Sequence, residues 1–275
     1  MNEKKPLVTE NLWRSLRQFT DARIGLGRAG VSLPTSEHLA FQLAHARARD
    51  AVHLPMDSER LLEELRALGN LLPAQAPLVL KSRAENRQVY LQRPDLGRCL
   101  DPESAAQLAA EAAPDSGRPR LAIVIADGLS SSAVQSNAVP MLARFLKDLE
   151  ASEEDWELAP VTIVEQGRVA IGDDIGERLG ASAVVVLIGE RPGLSSPDSL
   201  GIYLTWAPSG GLTDARRNCI SNVRPAGLGF DQASQRLIYL LREAQRLGIS
   251  GVQLKDRTEE VVIETSGNNK NFLTN

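Results

Sequence analysis

The chain has 275 residues, of which 43% are hydrophobic and 24% charged, a composition ordinary for a globular protein. No apolar run approaches the roughly 18–20 residues that cross a bilayer, and no apolar segment follows residues 1–6, which argues against a membrane span and a secretory signal. A net charge of −4, no long basic block and 4% aromatic residues argue against nucleic-acid binding. We therefore expect a cytoplasmic protein in which Cys99 and Cys219 are reduced thiols.

The sequence pattern changes near residue 115. Residues 1–115 are predicted to form a mainly helical N-terminal segment, residues 116–250 an α/β domain, and residues 251–275 a polar tail. Residues 114–119 carry the Pro and Gly of a linker or loop.

The N-terminal segment shows mostly helical spacing of its apolar residues. Residues 37–52 predict a helix that begins after Pro34, capped by Thr35 or Ser36. A stripe of leucines predicts a second helix that Gly69 ends. The candidate strand positions are Val79, Val89 and Leu91.

Short apolar runs alternate with helical patterns in the second half. The predicted strands are residues 121–126, 161–164, 183–188 and 201–206, and the predicted helices are residues 134–149, 173–179 and 231–247. Strands that are apolar on both faces and alternate with helices indicate an α/β fold, with a Rossmann-like, mostly parallel sheet and helices on both faces. Ligands of such sheets bind beyond the carboxyl ends of the strands.

A glycine motif in the first half matches a dinucleotide-binding pattern. Gly25, Gly27 and Gly30 follow the spacing Gly-x-Gly-x-x-Gly, with Asp50 about 20 residues further on. The residues before the motif do not resemble a buried strand, and Pro34 interrupts any helix that starts at Gly30. We interpret the motif as a flexible connection.

The three histidines do not predict a metal site. His38, His45 and His53 are spaced by seven and eight residues, whereas a helical metal site uses a spacing of three or four. With no histidine in the second half, a Ser-His-Asp or Cys-His site there would need one from the first half or from another chain. We therefore predict no catalytic residues and no metal ligands in this chain.

Two strand ends carry candidate ligand-binding loops. Asp127, Gly128 and Ser130 lie where a buried strand gives way to a helix, a place that suits a ligand but is also built without one. Glu190 and Arg191 follow the strand at residues 183–188, in a turn with Pro192 and Gly193. Charges there need partners, which are either a ligand or a local ion pair.

Taken together, several segments resemble the small (light) subunit of ethanolamine ammonia-lyase, an adenosylcobalamin-dependent enzyme that converts ethanolamine to acetaldehyde and ammonia. They occur in the order of that family and span about residues 10–250. The matching segments are residues 22–30, 90–98, 127–130, 167–169, 189–194 and 219–222.

The resemblance implies the function of this chain and the residues of its site. In the family, the large subunit carries the catalytic residues, and the small subunit encloses adenosylcobalamin at the interface between them. The family's cobalamin contacts correspond to Val169, Glu190 and Cys219, and residues 1–115 are expected to dock on the large subunit. The resemblance also implies a bacterial microcompartment. The chain begins close to its first matching segment, however, without the longer leader that accompanies packaging in some relatives.

Two other classes of function remain as alternatives. One is a nicotinamide-dependent oxidoreductase, which would need the glycine fingerprint directly after a strand, where residues 121–128 lack it. The other is a non-catalytic adaptor of a complex, in which the candidate loops are only structural.

Overall fold

The computed structural model describes residues 7–111, 116–152 and 154–258. Its helices are α1 (Thr35–His53), α2 (Ser58–Arg66), α3 (Arg87–Gln92), α4 (Pro102–Ala109), α5 (Ser131–Glu150), α6 (Ile171–Arg178) and α7 (Phe230–Leu247). Its strands are β1 (Leu78–Lys81), β2 (Arg120–Ala126), β3 (Glu157–Leu158), β4 (Thr162–Glu165), β5 (Ala183–Gly189), β6 (Leu200–Trp206) and β7 (Arg217–Val223). Short 3-10 turns occur at Leu12–Gln18, Gly69–Leu71, Leu96–Arg98, Asp214–Arg216 and Gly251–Gln253.

The strands form one mixed sheet in the order β1-β4-β2-β5-β6-β7, and β3 pairs with the start of β2. The pairs among β1 to β5 are parallel, whereas β5–β6 and β6–β7 are antiparallel. The prediction of an α/β fold is thus confirmed, but the expectation of a mostly parallel sheet has to be corrected to a mixed one. No crossover helix separates β5, β6 and β7, and a strand that returns directly beside its neighbour runs antiparallel. The Rossmann-like topology is not confirmed.

Helices cover both faces of the sheet, as predicted. On one side, which we call the α5 face, α5, α7 and α2 pack against Leu121, Ile123 and their neighbours. On the other, the α6 face, α6 and α4 pack against the alternate residues, such as Ala122 and Val124. The side chains of β2 and β5 are buried on both faces, which explains why these strands are continuous apolar runs.

The first half of the chain contributes to this sheet. Strand β1 pairs with β4, and Leu61 and Leu65 of α2 are fully buried in the core of the α5 face. Val79 lies in β1 as expected, but the strand prediction for Val89 and Leu91 was wrong, because both lie in the short helix α3. Residues 112–115 and 259–275, which include parts of the predicted linker and tail, lie outside the described residues. The division of the chain at residue 115 stays a prediction.

The connections that follow β2 and β5 touch through two glycines. Gly189 lies so close to the first connection that a Cβ there would be 2.0 Å from the carbonyl oxygen of Ser130 and 2.7 Å from that of Asp127. Gly128 has a φ of +56°, and its Cβ would lie 2.3 Å from the Gly189 oxygen. The amide of Leu129 donates to that same oxygen over 2.9 Å. Backbone contact between the connections that follow β2 and β5 therefore sets the direction in which the chain leaves β5.

We expect Gly189→Ala to lower the free energy of unfolding by about 3 kcal/mol, because the new methyl group overlaps backbone atoms that cannot rotate away. Urea denaturation of the purified chain measures this loss. Gly210→Ala is the matched control, since the nearest atom to its Cβ is a Glu177 carboxylate oxygen at 3.4 Å, on a flexible side chain. Equal stability of the two variants would contradict the contact.

Candidate functional site

The three residues named as cobalamin contacts all lie on the α6 face. Val169 lies two residues before the start of α6 and packs against the core of that face. Glu190 follows β5, and its side chain lies over the position where a Cβ of Gly201 in β6 would be. Cys219 lies in β7, opposite Tyr203 of β6, which also packs against the α6-face core. The structure thus brings onto one face three residues that are far apart in sequence.

The Glu190 carboxylate is held by polar groups rather than by a cation. Its Oε2 accepts a hydrogen bond from the Ser199 hydroxyl and one of 3.2 Å from the Asn222 amide. Its own amide donates to the Ser199 carbonyl over 2.9 Å. Within the described residues, no Lys, Arg or His nitrogen lies within 4 Å of this carboxylate, so the local ion pair with Arg191 is not formed. Both hydrogen bonds reach Oε2, which leaves Oε1 able to accept another.

Tyr203 connects Glu190 with Cys219 and was missed by the sequence analysis. Burial is the main reason why the pKa of Tyr203 is raised, and the Cys219 thiol and the Glu190 carboxylate raise it further. The phenol therefore stays neutral and lies within electrostatic reach of both residues. The sequence predicts only that Tyr203 lies in a strand, at residues 201–206. The small residue Gly201, two positions before Tyr203, was the one sequence feature that set this part of the strand apart.

The α6 face is open at the middle of β7. Cys219 and Ser221 are exposed, with 3.3 Å between the thiol sulfur and the hydroxyl oxygen, whereas Ile220 between them is buried on the opposite face. Strand β7 was missed in the sequence because only one of its faces is apolar. A polar surface that includes an aromatic ring, a thiol and a hydroxyl is thus available to a ligand or to another protein.

Beside this surface lies a cavity of about 550 Å³. Glu190 lies in one wall, and Phe19 to Ala22 of the N-terminal segment form the other. Arg23 holds this segment in place by donating to the Leu194 carbonyl over 3.2 Å. The N-terminal segment therefore reaches the neighbourhood of Glu190.

Asp127 holds the loop that carries Val169. Its buried carboxylate accepts hydrogen bonds from the amides of Gln166 at 3.0 Å and Gly167 at 2.9 Å, and it pairs with Arg87 at 3.2 Å. Burial raises the pKa of Asp127 to about 6, although Arg87 and the amides favour the charged form. The structure thus shows a structural role for this residue, and a ligand-binding role stays a prediction.

An aromatic stack supports the same loop. The guanidinium groups of Arg87 and Arg168 both lie over the Tyr90 ring, with their central carbons 4.7 and 4.2 Å from the ring centroid. The Tyr90 hydroxyl donates to the Gly167 carbonyl over 3.0 Å. Residues 90–98, one of the segments behind the family resemblance, therefore lie against the turn that precedes α6.

The glycine motif does not form a dinucleotide site. It follows the 3-10 turn Leu12–Gln18 rather than a strand, and Gly27 packs against the Thr9 carbonyl, 2.8 Å from where its Cβ would be. Thr9 and Arg28 form an isolated β-bridge, so the glycines serve a local chain reversal. The strand-to-helix context that a nicotinamide site would require is missing from this motif.

All three histidines lie on α1, remote in sequence from Glu190 and Cys219. Among residues 7–111, 116–152 and 154–258, no group of three or more His, Cys, Asp or Glu side chains could hold a metal ion. A search of the same residues finds no helix with both the length and the apolar character needed to cross a membrane.

The pKa of Asp127 predicts a pH-dependent stability. Because this pKa is about 6 in the folded chain and 3.8 in an ordinary carboxyl, the folded state binds more protons between these values. Stability is therefore highest below pH 3.8 as far as this group is concerned, and about 3 kcal/mol is lost as the pH rises through 6. In Asp127→Asn this contribution to the pH slope should vanish.

Urea denaturation between pH 4 and 7 measures the slope in both proteins. Asp127→Asn should also be less stable at pH 7, since an amide NH2 cannot accept from Gln166 or Arg87. Asp155→Asn, at a side chain that is 74% exposed, serves as the control and should keep the wild-type slope. Parallel pH curves for wild type and Asp127→Asn would refute the assignment.

Comparison with known proteins assigns the chain to a family. Residues 10–255 match the family described as ethanolamine ammonia-lyase light chain (EutC). The chain is 56% identical to the ethanolamine ammonia-lyase small subunit of Azotobacter vinelandii over 99% of its own length and 98% of that protein. It is likewise 56% identical to the small subunits of Ralstonia nicotianae, with 97% and 95% of the two chains covered, and of Xanthomonas campestris, with 92% and 90%. On this basis, the chain belongs to the family of ethanolamine ammonia-lyase small subunits.

Proposed function

We propose that this chain binds adenosylcobalamin on its α6 face, as the small subunit of an enzyme that converts ethanolamine to acetaldehyde and ammonia. The observation that carries the proposal is the position of Val169, Glu190 and Cys219 on one face of the sheet, beside the open part of its surface. The family assignment, which is also the source of these three residues, supports the proposal.

The residues on this face fit the chemistry of a corrin. A corrin has apolar faces and a rim of neutral amides, which need hydrogen-bond acceptors and donors. Tyr203 and Val169 offer apolar surface, and Ser221 offers a hydroxyl. Glu190 offers the carboxylate oxygen Oε1, which accepts no hydrogen bond within the described residues. When bound, adenosylcobalamin supplies the radical chemistry, and the protein binds, orients and encloses it.

In this proposal, the large subunit provides the catalytic residues and the other wall of the cofactor site. The Glu190 carboxylate would hold a rim amide, and the surface around Tyr203 would exclude water from one side of the corrin. Because Cys219 and Ser221 are exposed in this chain, a second surface is needed to enclose the cofactor. Location in a bacterial microcompartment stays a prediction.

The N-terminal segment offers the surface for the large subunit. Of the exposed large hydrophobic side chains in the described residues, all but Leu247 and Val252 belong to residues 7–54. Helix α1 has 19 residues, of which only Ala44 and Ala51 are buried. A helix that packs so little against its own chain gains little stability from that chain, and contiguous apolar surface marks an interface.

We expect Glu190→Gln to weaken adenosylcobalamin binding by the complex of both subunits at least about tenfold, because a charge-assisted hydrogen bond is worth roughly 1.5–3 kcal/mol. Spectrophotometric titration of the reconstituted complex measures the dissociation constant. Glu150→Gln, at the far end of α5, is a matched control and should bind as wild type does. Unchanged affinity in Glu190→Gln, with a large fall in melting temperature, would favour the adaptor alternative.

We expect the double variant Leu39→Glu, Leu43→Glu to weaken association with the large subunit by roughly 30-fold or more, the effect of losing an interface hot spot. These side chains are 62% and 51% exposed, and Glu keeps the helix propensity of Leu, so the melting temperature of the free chain should not change. Analytical ultracentrifugation measures the association. Val252→Glu, at a side chain that is 75% exposed outside this segment, is the control; an equal effect there would contradict the docking surface.

A further inference from the structure

A buried ion pair crosses the α6 face beside the proposed cofactor surface. Arg217, the first residue of β7, contacts the Asp173 carboxylate in the first turn of α6, and the two side chains are 2% and 4% exposed. The Arg217 guanidinium also donates to Asp214 over 2.7 Å and to the Leu212 carbonyl over 3.2 Å. Its planar fork is thus fixed by three groups at once.

The pair joins the two elements that carry Val169 and Cys219. Asp173 comes four residues after Val169, and Arg217 comes two residues before Cys219, on the same face of β7. Between them lies Thr205 of β6, the register partner of Arg217. The pair therefore bridges from α6, which packs over β5, across β6 to β7.

Helix α6 itself is pressed closely onto the sheet. A Cβ on Gly172 would lie 2.4 Å from the Val186 side chain, and one on Gly176 would lie 2.5 Å from Pro208. These contacts fix the height of α6 above β5. The lateral position of its first turn relative to β7 is then fixed by Asp173 and Arg217.

We propose that the Asp173–Arg217 pair is a positioning device for the cofactor surface, which sets the separation of Val169 and Cys219 and thereby the affinity for cobalamin. The inference rests on the proposed function. Net stability is a weak reason for such a pair, because replacing a buried ion pair with apolar residues of similar volume is often neutral or stabilising. An apolar pair would not reproduce the fixed relative position of the two side chains, because apolar side chains make no directional hydrogen bonds.

Three variants separate positioning from stability. Arg217→Lys keeps the charge but loses the fork, and Asp173→Asn keeps the shape but loses the charge. The double variant Asp173→Leu, Arg217→Met replaces the pair with apolar side chains. Arg120→Lys is the matched control, because Arg120 is also buried and paired, with Glu157, at the start of the central strand β2, where it donates to the Leu179 carbonyl at the end of α6 that lies away from Val169.

The measurements are the melting temperature of the free chain and, for the complex with the large subunit, the adenosylcobalamin dissociation constant and the circular dichroism of the bound corrin. We expect both single variants to weaken cobalamin binding about tenfold and to change the corrin spectrum. The double variant should regain the melting temperature without regaining affinity, while Arg120→Lys should lower the melting temperature without affecting binding.

The inference is overturned if cobalamin affinity follows the melting temperature in all four proteins, or if Arg217→Lys binds as wild type does. Should the double variant fail to fold, Arg217→Lys and Asp173→Asn still decide the matter. Glu190→Gln distinguishes a failure of the positioning role from a failure of the proposed cofactor surface. If it weakens binding while the pair variants do not, only the positioning role fails; if it binds normally too, the proposed cofactor surface fails.

Discussion

The close approach of the connections after β2 and β5 is the constraint on which the site depends. Gly128 and Gly189 allow backbone atoms to meet where any side chain would separate them. Because of this contact, the chain leaves β5 with Glu190 directed over Gly201 rather than into solvent at the sheet edge. The same edge holds Asp127, whose carboxylate fixes the turn that precedes Val169. Two of the three proposed cofactor contacts are thus positioned from one edge of the sheet, Glu190 by the backbone contact and Val169 by the Asp127 carboxylate.

The change from parallel to antiparallel pairing explains why the open surface occurs where it does. Strands β2 and β5 lie in the middle of the sheet, with helices on both sides, and tolerate only apolar residues. Beyond β5 the chain returns without crossover helices, so the α6 face of β6 and β7 lacks such a cover within the described residues. Antiparallel strands can keep one polar face in this way. The mixed sheet is therefore suited to a protein that presents one face to a ligand or a partner.

Sequence patterns identified the strands and helices that are apolar or clearly amphipathic, and they failed where burial is one-sided. The run at residues 183–188 and helix α7, ended by the left-handed Gly248, were predicted closely. Strand β7 was missed because polar residues such as Ser221 alternate with few apolar ones. Val89 and Leu91 were misread because their spacing of two imitates a strand, although Asn86 caps a helix there.

The candidate site, too, could be predicted only in part from the sequence. Three residues could be assigned from the family resemblance, but not their common face, because that depends on the pairing of β6 with β7. The partners of Glu190 are a hydroxyl nine residues away and an amide 32 residues away, contacts that no local pattern encodes. A local ion pair with Arg191, the nearest cation in sequence, was one of the two alternatives left open, and it is not formed within the described residues.

The N-terminal segment links the two surfaces that the proposed function requires. Its exposed apolar residues lie in the same stretch of chain as Phe19 to Ala22, which form a wall of the cavity at Glu190. In the free chain, Arg23 holds this stretch by hydrogen bonds at 3.2 and 3.4 Å, which are long and partly exposed to water. Such contacts contribute little to stability, whereas burial of α1 and the preceding residues against a partner would contribute much more. A cofactor held partly by this cavity would consequently bind best after the subunits have assembled.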